Sequence, residues 1–370
     1  MGKLYGMSKM VEELVKKDYL DQLSNSSYEI DCSVGENPYG LCPEIRLDEE
    51  IINLVSTYPD SSDKFIRSIV SKYSEIANLS DKNIALTTGS IGALTCLNRL
   101  FLKKGKKIIG IAPQFTAVID DFNLYGADYD PVYLKEENNY KFEIKDFLNK
   151  LESIEEAYIY IDNPNNPTGQ VIPLDEIEKI VMIAKKNNSF VCIDEAYGDY
   201  FTLDNSAINI LNKYDNIAVV RTLSKGLGGA GIRAGYLISN EGFIKYFKKV
   251  NMPFGTSVFT NEIAAQLLES DWEEYARRKS IRNKRILIES LNKIKVAETA
   301  MDIPIAMYYV EDESIDLEKE LLKNGVRVVS GSSYDGLSKN HVRINLHRDF
   351  DKMLELIKYT DLSLEKTAKV

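Results

Sequence analysis

The chain has 370 residues, 44% of them hydrophobic and 28% charged, with a formal net charge of −10. That length exceeds what one hydrophobic core usually fills, so two domains are expected. The negative balance leaves no positive surplus to displace counterions from nucleic acid or to hold an anionic membrane, and no basic run offsets it locally.

The opening stretch "MGKLYGMSKMVEELVKKDYLDQL" carries charges every few residues and has no apolar centre, which argues against a secretory leader. Its Leu4, Met7, Met10, Val11, Leu14 and Val15 recur at helical spacing. They predict a helix or arm within residues 1–30 that packs on the body or on a partner subunit. No window of about 18 uninterrupted apolar residues exists, so no membrane span is expected. Cys32, Cys42, Cys96 and Cys192 are scattered without a C-x-x-C pair, and His341 and His347 are the only imidazoles, so no metal site emerges. Cys96 and Cys192 sit in apolar runs and read as buried thiols, with the cytoplasm as the natural compartment.

From residue 84 to 240 short apolar runs alternate with helical patterns. The runs are "IALTT", "KIIGIAP", "AYIYIDNP", "FVCIDEAY", "IAVVRTLS" and "AGYLIS". One intervening segment, "PLDEIEKIVMIAKKNN", has proline at its start, acids in its first turn and lysines in its last, as a helix dipole favours. The alternation predicts an α/β unit with a mostly parallel central sheet, whose site lies beyond the C-terminal strand ends. After about 255 long helical stretches (258–270 and 272–291) lead into "IPIAMYYV", a helix near 315–324, "VRVVS", "HVRINL" and a last helix. This predicts a smaller α+β domain. The expected partition is an arm over 1–30, a large domain over 45–250, and a small domain built from 31–44 and 255–370.

The strand ends carry the chemistry. "IALT" is followed by Thr88-Gly89-Ser90-Ile91-Gly92, small residues opening a helix whose free N–H groups suit an anion. "YIYID" runs into "NPNNPTG", a proline-stiffened loop presenting amides. "FVCI" ends in Asp194, with Tyr197 three residues on. A carboxylate at the mouth of an apolar strand needs a cationic or hydrogen-bonding partner, or else serves as a simple cap. "IAVV" ends in "RTLSKGLGGAGIRAGY", where Gly226, Gly228 and Gly231 spell the dinucleotide fingerprint G-x-G-x-x-G. That fingerprint must open a helix. A β-type run follows instead, so the match is incidental and Lys225 is the residue of interest. A lysine, a carboxylate, a phenol, an amide and an anion cradle together suit a carbonyl cofactor bearing a phosphate. Pyridoxal phosphate has all the complementary groups.

"GENPYG", "NPNNPTG", "DEAYGDY", "TLSKGLGGAGIRAGY" and "HVRINL" run in that order through the chain. In them the sequence resembles the fold-type-I pyridoxal-phosphate-dependent aminotransferases of class I/II, in particular the histidinol-phosphate aminotransferase branch. The resemblance implies a homodimer, and Lys225 as the lysine that holds the cofactor's aldehyde and later carries the proton between substrate Cα and cofactor C4′. It implies that Asp194 pairs with the ring nitrogen and that Asn166 and Tyr197 reach the phenolic oxygen. Ser90, the Ile91 amide, Thr222, Ser224 and Arg233 would hold the phosphate, with Phe115 stacked on the ring. Tyr58 would reach the neighbouring subunit's phosphate, and Arg343 would clamp the substrate carboxylate as a planar guanidinium does.

The expected reaction moves an amino group between an amino acid, or an amino alcohol phosphate such as histidinol phosphate, and a 2-oxo acid by a ping-pong route. The sequence departs from the branch where an arginine commonly meets the substrate's distal phosphate. That position is Val329, and Arg327, two residues earlier on an expected common strand face, is the candidate substitute. Decarboxylation, elimination, cyclisation or oxidation on the same scaffold is the alternative reading. A non-enzymatic regulator is disfavoured by the retained lysine and the lack of a DNA-binding extension.

Overall fold

The protein is described from a computed structural model, which covers residues 8–17, 27–59 and 63–367. The predicted alternation forms a seven-stranded sheet. Its strands are β1 (Ile84–Thr88), β2 (Lys107–Ile109), β3 (Asp128–Tyr129), β4 (Tyr158–Asp162), β5 (Phe190–Asp194), β6 (Ile217–Thr222) and β7 (Ala234–Ser239). They lie in the order β1-β7-β6-β5-β4-β2-β3. Only β7 runs antiparallel, between β1 and β6. The remaining pairs are parallel.

The central strands read as unbroken apolar runs because both faces are covered. Ile159 and Ile161 of β4 join one core with Ile193 and Val219, while Tyr158 and Tyr160 join a second core on the other face with Cys192 and Val220. Helix α1 (Gly89–Phe101) follows β1 directly, α2 (Thr116–Leu124) follows the first crossover, and α3 (Leu174–Lys186) links β4 to β5. Pro173 stands at the N-cap of α3, with Asp175 and Glu176 in its first turn and Lys185 and Lys186 in its last, as its sequence predicts. All four cysteines are free and buried.

A second, antiparallel sheet contains β8 (Lys295–Val296), β9 (Ile305–Tyr309), β10 (Val329–Ser330) and β11 (His341–Asn345) in the order β8-β9-β11-β10. Helices α4 (Val258–Leu268) and α5 (Trp272–Glu289) precede it and α6 (Phe350–Thr367) closes it. Its own core joins Ile30 and Cys32 to Tyr308, Ile344 and Ile357.

Two expectations change. "VRVVS" is not one strand: Val326–Arg327 pairs with Ile30–Asp31 in a separate two-stranded ribbon, whereas Val329–Ser330 pairs with β11. Within the arm, Leu4 and Met7 lie outside the described residues. The described helix is only Lys9–Glu13 and buries no residue, with Val11 and Val15 being 52% and 80% exposed. The arm is tied to the body by a polar contact instead, the Lys17 backbone N–H on the Asp120 carboxylate in α2 at 2.8 and 3.0 Å.

Candidate functional site

The C-terminal ends of β1, β4, β5 and β6 open on one cavity of about 470 Å³, lined at its chemically distinct points by Ser90, Asp162, Asn166, Asp194, Thr222 and Lys225. Ile91, Phe115, Tyr197, Ser224 and Arg233 also line it. The parallel strands deliver these side chains together because each ends at the same edge of the sheet.

One end of the cavity is a donor cradle. Helix α1 starts at Gly89 without a side-chain cap on its first N–H groups, and unpaired N–H groups at a helix start attract an anion. Gly89 has φ of +68°, and a Cβ there would stand 2.9 Å from Nη2 of Arg233. Only glycine admits both that conformation and that approach. Thr222 and Ser224 hydroxyls lie 2.9 Å apart beside it. Arg233 is turned back by a left-handed residue conformation (φ 54°) and donates to the Ala230 carbonyl at 2.8 Å. The third glycine, Gly231, lies inside the short turn Ala230–Ile232, and β7 follows it where a helix would be needed, so the dinucleotide reading fails structurally as well.

The other end holds Lys225 and Asp194. Nζ of Lys225 donates to the Gly35 carbonyl at 2.5 Å and lies 5.5 Å from the Tyr197 ring centroid. A Cβ on Gly35 would fall 2.3 Å from the Tyr197 hydroxyl, so this backbone closes over the lysine only as glycine. Burial, then the cations Arg343 and Arg233, lower the Lys225 amine to about 8. Asp194 accepts from the Tyr160 hydroxyl at 3.0 Å and the Ala196 N–H at 3.1 Å. Burial, then the neighbouring Asp162 carboxylate, raise it to about 7.

The "NPNNPTG" loop is rigid because its asparagines bond within it. Asn163 Nδ2 donates to the Ile172 carbonyl, whose residue's N–H returns a bond to Asn163 Oδ1. Oδ1 of Asn165 accepts from the Thr168 N–H and hydroxyl. Asn166 is left facing the cavity, its Oδ1 accepting from Arg343 Nη1 at 3.1 Å and from the Tyr334 hydroxyl at 3.4 Å. Arg343 is 1% exposed and also donates to the Ser33 carbonyl.

Three expected site residues do not line the cavity: Arg343 stands behind Asn166, to which it donates, and two others stand elsewhere. Arg327 does not line the cavity: it pairs with Asp31 at 3.5 Å and lies over the Tyr28 ring. The two-residue alternation that would have put it on the face of Val329 is broken at Val328, where the chain passes from one sheet to the other. Tyr58 is 80% exposed against Phe254, with ring centroids 4.8 Å apart, outside the cavity of its own chain.

Residues with no expected role include Asp162, Gly35 and Glu36 in the cavity wall, and Gln114 and Tyr160 behind it, bonded to its carboxylates. Asp162 had the same sequence signal as Asp194, a carboxylate closing an apolar strand. Gly35 opens the "GENPYG" motif, but nothing local points to Lys225, which it reaches across 190 residues of chain.

Hydroxyls, a guanidinium and helix N–H groups at one end fit a phosphate, and an amine and a carboxylate at the other fit an aldehyde and a ring nitrogen. The cradle residues Ser90, Thr222, Ser224 and Arg233 include no acid. The arrangement therefore suits a phosphorylated carbonyl cofactor with a basic ring.

The model of the family "Aminotransferase class I and II" matches residues 29–359. The histidinol-phosphate aminotransferase of Thermoanaerobacter sp. (strain X514) is 28% identical over 338 residues, 89% of this chain and 93% of the relative. That of Clostridium novyi (strain NT) is 29% identical over 348 residues, 91% of this chain and 94% of the relative. Among solved structures, the histidinol-phosphate aminotransferase from Sinorhizobium meliloti in complex with pyridoxal-5'-phosphate superposes with a TM-score of 0.80 at 19% identity, over 98% of this chain and all of that one (100%). The enzyme from Clostridium acetobutylicum gives 0.78 at 22% identity, over 90% and 99%.

Proposed function

The chain belongs to the class I and II aminotransferases, and we propose that Lys225, Asp194 and the Ser90–Thr222–Ser224–Arg233 cradle are the working parts of its site. The cofactor is pyridoxal phosphate and the fold is fold type I. The observation that carries the assignment is the convergence of these groups on one cavity from four separate strand ends.

When bound, pyridoxal phosphate supplies an aldehyde that exchanges amines and a ring that withdraws electrons from the substrate's Cα. The chain supplies position and protons. Ser90, the Ile91 N–H, Thr222, Ser224 and Arg233 hold the phosphate, while Asp194 holds the ring nitrogen. Lys225, lowered toward neutrality by burial and by two arginines, would take a proton from the substrate's Cα and deliver it at C4′, and carry it back with the second substrate. Asn166 and Tyr197 orient the phenolic oxygen, Phe115 stacks on the ring, and Arg343 grips the substrate carboxylate with its planar fork. Amino donor and 2-oxo acid acceptor use the site in turn, which gives ping-pong kinetics.

The donor is an amino acid or an amino alcohol phosphate of the histidinol phosphate kind, a reading supported by the relatives' names. The enzyme works as a homodimer in the cytoplasm, with Tyr58 reaching the partner's phosphate. Support for the dimer comes from an exposed apolar group of Leu54, Val55, Tyr58, Met252 and Phe254. It adjoins the cradle, because Thr88 Oγ1 donates to the Gly255 carbonyl at 2.8 Å. Exposed apolar groups of this kind mark interfaces. The distinct core around Ile30, Tyr308 and Ile357 supports a small domain, expected over 31–44 and 255–370, beside a large one expected over 45–250, although Cys42 and the α4 residues Ile263, Ala264, Leu267 and Leu268 pack in the large core.

The test is a half-reaction: purified enzyme is mixed with single amino donors and no acceptor. One keto product per active site, without carbon dioxide release or oxygen uptake, is expected. Gas release or oxygen consumption in its place would overturn the transfer reading, and turnover by Arg343→Ala with an unchanged donor KM would remove Arg343 from the carboxylate clamp.

A further inference from the structure

The floor of the cavity holds a second carboxylate for which the roles above leave no task. Asp162 ends β4 as Asp194 ends β5, and the two are direct partners in the parallel register. Their side chains therefore share one face of the sheet, with backbones about 4.8 Å apart. Asp162 is 3% exposed and lines the same cavity as Lys225. Its Oδ1 accepts from Gln114 Nε2 and from Asn165 Nδ2, both at 3.0 Å, and its Oδ2 accepts from the Asn166 N–H at 2.9 Å. Burial raises the Asp162 carboxyl to about 6, three N–H donors oppose that rise, and it is therefore still mostly ionised at pH 7; among the described residues no lysine or arginine forms an ion pair with it.

These bonds tie the two halves of the site together. Asp162 sets the backbone of Asn166, and Asn166 in turn receives Arg343. On its other side it stands next to Asp194. A brace for the asparagine loop has no need to lie in register with that carboxylate or to face the cavity.

We propose that Asp162 is a positioning residue of the transfer reaction: it fixes Asn166 through the loop and places a second negative charge beside Asp194, where the cofactor ring is held. The proposal rests on the assignment of Asp194 and Lys225 made above. The groups facing the pair are Tyr160 on β4, Tyr158 and Cys192 beside Asp194, Tyr129 on β3, whose hydroxyl donates to Gln114 Oε1 at 2.8 Å, and Lys225 above Asp194. Asp335 acts on Tyr129, and Arg343, Arg233 and Glu36 act on Lys225.

The test compares holoenzyme variants by the midpoint of the pH-dependent absorbance change of the bound cofactor, alongside the thermal midpoint. Loss of an anion near a protonated group makes its proton easier to lose. Asp162→Asn is therefore expected to lower the midpoint by about one unit, and Asp162→Glu to restore it. A midpoint within about 0.2 unit of the parent with a lowered thermal midpoint would reduce Asp162 to a structural brace and overturn the proposal. Should Asp162→Asn fail to fold, Gln114→Leu decides, since it removes one donor from the carboxylate without touching the loop. A smaller shift in the same direction supports the proposal and no shift overturns it. Asp194→Asn separates the two levels: if it moves the midpoint and Asp162→Asn does not, only this inference fails. If neither moves it, the assignment of Asp194 fails too.

Discussion

Two buried charge groups sit back to back at the ends of β5 and β6. On one face Arg221 is fully paired: Nη1 donates to Glu195 at 3.0 Å, Nη2 to Asp199 at 3.0 Å and Nε to the Tyr73 hydroxyl at 3.0 Å. On the other face Asp194, which precedes Glu195, and Lys225, four residues beyond Arg221 and past the end of β6, make no ion pair with each other. Asp194 is held by Tyr160 and Ala196, and Lys225 by a carbonyl. Strand alternation puts Asp194 and Glu195 on opposite faces although they are adjacent in sequence, whereas Lys225 reaches its face from the turn after β6. A buried charge costs several kcal/mol to desolvate, and a complete set of partners offsets that cost. The Arg221 group is closed and serves the fold. The Lys225–Asp194 group has partners that stabilise it only in part, and both side chains are displaced toward neutrality.

The sharpest way to break this contrast is to remove the central cation from each group. Lys225→Met should lower transfer activity by about 10⁴-fold, measured as keto-product formation with the best amino donor. It should not lower the unfolding free energy of the cofactor-free protein at pH 7. Because the folded pKa of Lys225 lies below its ordinary value, at about 8, the parent carries its penalty at low pH and sheds it as pH rises from about 8 toward 10.5. Any stability advantage of the variant should shrink over that window. Arg221→Met should do the reverse for the fold. It leaves Glu195 and Asp199 buried without their counter-ion, which costs about 3–5 kcal/mol, read by denaturant unfolding. A small loss for Arg221 and a large one for Lys225 would invert the comparison.

Asp194→Asn tests the open group from its acidic side. The folded pKa of Asp194 is raised to about 7, so the folded state binds the extra proton between about pH 4 and pH 7. The parent must therefore lose stability relative to the variant as pH rises through that window. The difference in unfolding free energy of the cofactor-free proteins should widen from pH 4 to pH 7 and level off above. Turnover should fall about a hundredfold, as expected for one lost electrostatic partner of the reacting group. A pH-independent difference would mean that folding does not raise the Asp194 carboxyl above its ordinary range.

What could be read from the sequence follows the same division. Lys225, Asp194, Ser90, Thr222 and Ser224 stand at strand ends, where local pattern fixes position, and all five line the cavity. Asp162 offers the same pattern, closing "YIYID" just before the asparagine loop. Only the register of β4 against β5 sets it beside Asp194. The "GENPYG" motif marks Gly35, but its closing over Lys225 depends on chain segments 190 residues apart, which no local pattern records. Arg327 was misplaced for a different reason. A five-residue β-type run carries no mark of the point where the chain leaves one sheet for another, and a single break at Val328 reverses an argument from alternation.

Arg327 also supplies the smallest and most discriminating contrast. Its pair with Asp31 is 3.5 Å long, and the side chains are 17% and 25% exposed, between the buried set around Arg221 and a free surface pair. A pair of that kind contributes about 0–1 kcal/mol. Arg327→Ala should therefore cost less than about 1 kcal/mol in denaturant unfolding. It should leave KM for the amino donor within about twofold, because less than half a kcal/mol separates values that close. A larger rise in KM for a phosphorylated donor, with no rise for an unphosphorylated one, would return Arg327 to the substrate's distal end. The chain would then have to rearrange around Val328 when substrate binds, since in the present arrangement the guanidinium is committed to Asp31 and Tyr28.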